Sequence, residues 1–285
     1  MVHDLRGGRP LAREEPVSPA VFDFSDHVVL VTGGAAGIGF GIAAAFRAAG
    51  ARVAIGDVRE PALKKAVDRL GADGVLARTL DVRDERSVDG FVEAAGRELG
   101  PITIAVANAG IYPNTPVLDM DVAEWDRVME TNVRGVFLTC RAAARAMVAR
   151  RGAGKIVTIA SGAAFSGRPG GSHYCSSKSA VAMFTKVLAM EVARDRINVN
   201  CVAPGYIKVD SETSPVTQEY ETTILKGVPW GRAGTPGDIA NAVLFLCSPL
   251  AEYVTGEVIA VNGGAAAGRT HLPLSTPKRM PGTRA

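Results

Sequence analysis

Little in this 285-residue chain could cross-link it, anchor it or bind a metal. Its four cysteines, Cys140, Cys175, Cys201 and Cys247, are spaced by 35, 26 and 46 residues. With no C-x-x-C pair or repeated spacing, they suit neither a disulfide framework nor a zinc framework and read as buried thiols in a reducing compartment. No uninterrupted apolar run approaches the roughly 18 residues of a membrane span. Met1 to Pro16 mixes Arg6, Arg9 and Arg13 with Asp4, Glu14 and Glu15 and lacks the apolar stretch of a secretory signal, so the expected location is the cytoplasm. Charge of one sign is also missing. Lysines and arginines number 32 against 29 acids, and residues 26–264 hold 25 of each, which leaves no electrostatic footprint for nucleic acid. There is no H-E-x-x-H motif and no carboxylate cluster, so no metal is expected.

What the chain does have is hydrophobic content of 47% arranged in a repeating order. Short Val/Ile-rich runs (Val28–Val31, Val53–Ile55, Ile102–Val106, Ile156–Ile159, Ile197–Val202, Val258–Val261) alternate with longer stretches at helical spacing, such as Ile38 to Ala49 and Leu63 to Leu70. Continuous apolar strands separated by helices predict a parallel sheet covered on both faces. The expected architecture is a single doubly wound α/β domain of Rossmann type over residues 26–264, with a parallel sheet and helices on both faces. A flexible N-terminal extension (1–25) and a basic, flexible C-terminal tail (265–285) are expected to flank it.

The first strand runs directly into Thr32-Gly33-Gly34-Ala35-Ala36-Gly37-Ile38-Gly39. Glycines at a strand-to-helix turn allow a tight bend and let backbone N–H groups approach a pyrophosphate, although a purely structural turn would look similar. The second strand adds the missing element. It ends in Asp57, 18 residues after Gly39, where a carboxylate accepts hydrogen bonds from ribose hydroxyls and repels a 2′-phosphate. That combination favours NAD over NADP, with Arg59 close enough to soften the preference.

Tyr174 and Lys178, four apart, share one face of a predicted helix, and Ser161 closes a predicted strand. An ammonium beside a phenol is expected to lower the phenol's pKa toward working pH, and a serine hydroxyl can hold a substrate oxygen nearby. Taken alone, such a trio is more often structural than catalytic. His173 adjoins Tyr174 but projects about 100° away, so it reads as a rim residue.

With these residues in place, the sequence resembles the short-chain dehydrogenase/reductase family, whose Thr-Gly-x-x-x-Gly-x-Gly turn is matched by Thr32 to Gly39. Asp81-Val82, Asn108-Ala109-Gly110, Asn132, Ser161, Tyr174, Lys178 and Pro204-Gly205 follow in the family's order. Gly231 to Ile239, Tyr253 to Gly256 and Gly263-Gly264 also look like this family, and the Ser-to-Tyr spacing of 13 is the family's.

The resemblance implies a seven-stranded sheet and an oxidoreductase with Asn132, Ser161, Tyr174 and Lys178 as its catalytic set. Tyr174 would exchange a proton with the substrate oxygen while the nicotinamide exchanges a hydride with its carbon. Lys178 would also hold the nicotinamide ribose, and Asn132 would position a water. Gly33, Gly37, Ile38, Gly39, Asp57, Asp81, Val82, Asn108, Ala109, Gly110, Pro204 and Gly205 would line the cofactor cleft. Val209 stands where many relatives place a threonine, which leaves the Ile207 backbone as the expected partner of the carboxamide.

The resemblance also implies a homotetramer built on two helices, around Asp121 to Arg150 and Ser172 to Arg194, with Ala142, Ala143, Ala146 and Met147 suited to close packing. Substrate identity is expected to reside in residues 111–117, 162–171 and 206–230, with Tyr112, Phe165 and Tyr206 as contacts alongside Ser161 and Tyr174. The last stretch reads as an acidic mobile lid that favours a neutral secondary alcohol or ketone. Two other functions stay open: an NADPH-dependent reductase of carrier-bound 3-oxoacyl groups, and a nucleotide-binding regulatory protein without chemistry.

Overall fold

The computed structural model describes residues 22–209 and 217–268. The extension up to residue 21, the lid acids Asp210 and Glu212 and the tail from residue 269 lie outside the described residues. Seven parallel strands form one sheet in the order β3-β2-β1-β4-β5-β6-β7. They are β1 (Val28–Thr32), β2 (Arg52–Asp57), β3 (Val75–Thr79), β4 (Ile104–Ala107), β5 (Gly154–Ile159), β6 (Ile197–Pro204) and β7 (Val258–Val261). In β1, Leu30 sits between Ala54 of β2 and Ala105 of β4.

The twofold period of a strand explains why these runs are apolar throughout. Val28 and Leu30 face one core, and Val29 and Val31 face the other. The first core is closed by α3 (Glu85–Leu99), α5 (Gly135–Ala149) and α6 (Ser172–Val192), through Phe91, Met147 and Leu188 among others. The second is closed by α1 (Gly37–Ala48), α2 (Glu60–Leu70) and α8 (Pro236–Cys247), through Phe46, Leu63 and Ile239. Each such side chain stabilises the fold by about 1.5–3 kcal/mol relative to exposure.

Two features differ from the sequence expectation. Phe24, assigned to the N-terminal extension, is buried edge-on against Phe46 with ring centroids 4.9 Å apart, and its N–H donates to Ala49 O at 2.7 Å. The packed body therefore begins before residue 26. Ala142, Ala143 and Met147, expected to pack against another subunit, are buried in this chain's own core. Their side of α5 faces the sheet, so they are out of reach of a neighbour.

The helix ends carry local signals. Thr235 and Asp238 form a reciprocal capping box on α8, with Pro236 in the first turn, and Asp84 caps α3. Between α4 (Val122–Met129) and α5 the chain makes a π-helical turn over Glu130–Arg134. Such turns are rare and rotate the side chains they carry relative to the flanking helices.

Candidate active site

Strand order reverses its direction of growth between β1 and β4, and in open α/β sheets ligands bind at that switch point, outside the strands' carboxyl ends. The sequence's candidate residues gather along this edge. Gly33 and Gly37 adopt φ of +63° and +56°, a region that side chains with a Cβ rarely enter. A Cβ on Gly39 would lie 2.1 Å from Gly33 O. Thr32 Oγ1 accepts hydrogen bonds from the N–H groups of Asn108 and Ala109, both at 3.1 Å. Asn108 Nδ2 donates back to Thr32 O and Gly33 O, so this side chain staples the glycine turn to the end of β4.

The N-terminus of α1 opens from Ala36 with no side-chain cap and no acid in its first turn. Its backbone donors and the positive end of its dipole are left for an anion. Together with the glycine cradle, this fits the pyrophosphate of a dinucleotide.

Asp57 closes β2 and is buried. Arg59 donates to it three times: backbone N–H and Nε to Oδ1 at 3.1 and 3.0 Å, and Nη2 to Oδ2 at 3.0 Å. A carboxylate offers about four lone-pair sites, so about one remains for a ribose hydroxyl. Asp81 repeats the pattern one strand further along, with Arg83 Nη2 donating to Oδ2 at 2.7 Å. Hydrogen bonding from Arg83 holds the Asp81 carboxyl below the ordinary aspartate range.

Ser161 follows β5 and caps a short 3-10 turn, its Oγ accepting from the Ala163 N–H at 3.1 Å. Tyr174 lies in the first turn of α6, and Lys178 lies one turn further on. Lys178 is 4% exposed; its Nζ donates to Ile159 O at 2.8 Å and sits 5.8 Å from the Tyr174 ring centroid. Burial lowers its pKa to about 8.

The phenol behaves opposite to the sequence expectation. Burial holds the Tyr174 pKa above that of a free tyrosine, with hydrogen bonding from Ser161 and the charge of Arg168 opposing the rise. In this cleft desolvation outweighs the nearby cations, and Lys178 spends one of its donors on a backbone carbonyl.

The π-helical turn carries Asn132, which is wholly buried. Its Oδ1 accepts from Ile111 N–H at 2.8 Å, and its Nδ2 donates to Ile111 O at 2.9 Å and to Ser177 Oγ at 3.1 Å. Ser177 in turn donates to Tyr174 O at 2.7 Å. A Cβ on Gly110 would lie 3.2 Å from Asn132 Oδ1 and 3.5 Å from Lys178 Nζ, so both side chains converge on this glycine. Asn132 thus links the loop after β4 to the helix that carries Tyr174 and Lys178.

On the substrate side, the structure brings Tyr112 to the tyrosine, with ring centroids 6.3 Å apart. Phe165 is exposed beyond the Ser161 turn. Tyr206 O accepts from Gly234 N–H and Lys208 N–H donates to Gly234 O, both at 2.9 Å, which turns the N–H and carbonyl of Ile207 to the opposite side. Upstream, Gly205 N–H donates to Val261 O. The expected lid contains α7 (Gln218–Leu225), and Lys208 Nζ donates to Glu221 Oε1 at 3.0 Å, so part of its acidity is compensated internally.

Four residues whose contacts sequence reading did not find belong to this site. Arg59 engages Asp57, and Arg168 stands 5.8 Å from the Tyr174 ring centroid. Ser177 bridges Asn132 and Tyr174, and its position three residues after Tyr174 on a helix was the available signal. Glu124 pairs with His173, which is fully buried and not at the rim. No pattern in the sequence marks that pair, because its members are 49 residues apart.

The family model described as enoyl-(acyl carrier protein) reductase matches residues 33–266. The 3-oxoacyl-[acyl-carrier-protein] reductase FabG of Chlamydia muridarum is 40% identical over 245 residues, covering 85% of this chain and 98% of the relative. FabG of Escherichia coli K12 is 40% identical over 242 residues, with the same coverage. A solved short-chain type dehydrogenase/reductase from Mycobacterium marinum superposes with a TM-score of 0.82 at 39% identity, covering 87% of this chain and 98% of that one. With the glycine turn, the seven-stranded sheet and the Ser161, Tyr174 and Lys178 cluster in place, the chain belongs to the short-chain dehydrogenase/reductase family of oxidoreductases.

Proposed function

We propose that this protein interconverts a ketone and a secondary alcohol by hydride transfer, with Tyr174 as general acid/base and a 3-oxoacyl group as the ketone. The convergence of Ser161, Tyr174 and Lys178 beside the glycine turn carries the chemistry. The substrate class rests on relatives named for 3-oxoacyl groups on acyl carrier protein, which this chain matches over 98% of their length. A free secondary alcohol or ketone, the leading reading from sequence, becomes the second reading. A regulatory role without chemistry is disfavoured because Asn132, Ser161, Tyr174 and Lys178 are all kept.

In the direction of reduction, the Ser161 hydroxyl donates to the substrate carbonyl and holds it at the phenol. Tyr174, whose phenol burial shifts above the ordinary tyrosine range, gives its proton to that oxygen. Lys178 then stabilises the phenolate electrostatically, and its own pKa of about 8 suits it to return a proton. Asn132 and Ser177 hold the backbone at both ends of this relay, with Asn132 also assigned the positioning of a water. When bound, a nicotinamide dinucleotide supplies the hydride. NAD(H) is the proposed form, because the buried Asp57 at the end of β2 disfavours a 2′-phosphate.

A homotetramer is part of the same proposal. Phe137, Val148, Met183, Val187 and Met190 form an exposed apolar stretch on α5 and α6. Such a patch marks an interaction surface, here one that meets a second copy.

The test is turnover of a 3-oxoacyl thioester and of simple ketones with NADH and NADPH, followed at the nicotinamide absorbance. Tyr174→Phe is expected to lower kcat by at least about 10². A Tyr174→Phe enzyme with the wild-type rate overturns the acid/base assignment, and turnover of simple ketones alone moves the substrate to the second reading.

A further inference from the structure

We infer that Glu124 and the buried His173 form a hydrogen-bonded dyad that positions the catalytic tyrosine and ties it to the loop between β4 and α4. His173 Nδ1 accepts the backbone N–H of Tyr174 at 2.8 Å, and its Nε2 lies 3.0 Å from Glu124 Oε1. The imidazole is wholly buried, and Glu124 comes from α4, 49 residues earlier. An imidazole nitrogen that accepts a hydrogen bond carries no proton, so Nε2 holds the hydrogen and donates it to the carboxylate. One tautomer satisfies both partners, and both ring nitrogens are used.

The arrangement answers a local need. The first N–H groups of a helix have no partner within the helix. Gly171, the N-cap of α6, has no side chain with which to capture one. The Tyr174 N–H is such an orphan, and the preceding side chain satisfies it. The tyrosine's backbone is then pinned twice: His173 holds its N–H and Ser177 holds its carbonyl.

Glu124 extends the restraint outward. Hydrogen bonds from Thr115 and His173 hold its carboxyl below the ordinary glutamate range. Thr115 N–H also donates to Gly170 O at 2.9 Å, immediately before the helix. The stretch after Tyr112, the segment before α6 and the acid/base residue therefore form one hydrogen-bonded unit. Misplacing a reacting group by about 1 Å is enough to lower a rate on the order of 10²-fold. His173 and Glu124 are positioning residues in this scheme.

The inference rests on Tyr174 being the acid/base, and the experiment separates the two. His173→Leu, His173→Asn, Glu124→Gln and Tyr174→Phe are compared in kcat, KM, dinucleotide affinity by fluorescence, thermal midpoint and the pH profile of kcat. Asparagine places Oδ1 where Nδ1 stood and keeps the acceptor for the Tyr174 N–H while losing the reach to Glu124. Folded His173→Leu is expected to lose kcat by roughly 10-fold to 10²-fold with unchanged dinucleotide affinity and a displaced pH limb. His173→Asn is expected to recover most of that loss, and Glu124→Gln to show a smaller loss that vanishes in the His173→Asn background. A His173→Leu enzyme within about twofold of wild type, or a His173→Asn enzyme no better than His173→Leu, refutes the dyad. Unchanged activity in Tyr174→Phe refutes the acid/base reading beneath it.

Discussion

Lys178 carries a prediction that is independent of substrate. Its ammonium is 4% exposed, and burial holds its pKa at about 8, against about 10.4 for a solvated lysine. That gap corresponds to about 3 kcal/mol, by which the folded state disfavours the charged form. The pH dependence has a definite sign. Below pH 8 the lysine is protonated in both folded and unfolded chains, and the whole penalty is present. Between about pH 8 and 10.4 the folded chain has released a proton that the unfolded chain still binds, so stability rises with pH. Lys178→Met keeps the aliphatic stem and removes the titration. Urea unfolding of both proteins without cofactor, at one protein concentration, is expected to show wild type gaining about 2 kcal/mol on Lys178→Met between pH 7 and 9.5. Tyr174 is present in both proteins, and burial moves its folded-state titration upward, away from pH 7 to 9.5, so it cancels from the comparison. A difference between the two proteins that is the same at both pH values refutes the assignment of a desolvated ammonium.

Two further outcomes follow from the site and the surface. Asp57→Asn removes a charge that faces any 2′-phosphate. At about 4 Å and an effective dielectric of about 20 the repulsion is about 4 kcal/mol. The guanidinium of Arg59 offsets roughly half of it, so the NADPH/NADH ratio of kcat/KM is expected to rise about 30-fold. Steady-state kinetics with both cofactors measures this, and an unchanged ratio refutes the Asp57 reading. Met190→Arg, at a side chain 72% exposed in the single chain, is expected to leave helix content unchanged while lowering the mass found by light scattering below that of a tetramer. A tetramer that survives the change refutes the assignment of this face as an interface.

Much of this site was readable one segment at a time. The glycine turn is a local steric requirement: positive φ at Gly33 and Gly37 and the absence of a Cβ at Gly39 leave a signature within eight residues. The twofold period of β1 and the four-residue spacing of Tyr174 and Lys178 are likewise local, so the sheet, its helices and the Ser161, Tyr174 and Lys178 set followed from sequence and resemblance. Asn132 was named from the resemblance, but not the π-helical turn that carries it or its bonds to Ile111 and Ser177.

The sequence by itself thus determined the order of elements, the glycine cradle and the identity of the chemical groups, because these depend on φ/ψ sterics and on neighbours within a turn or two. Only the tertiary structure decided how those groups behave. Desolvation raises the pKa of Tyr174 and lowers that of Lys178, and burial depends on segments far away in the chain. The same dependence places Ala142 and Met147 inside the core, buries His173 against Glu124, and packs Phe24 under α1. Proton affinity and burial are properties of everything packed around a residue, and that packing exists only once the sheet and its two helical layers have closed.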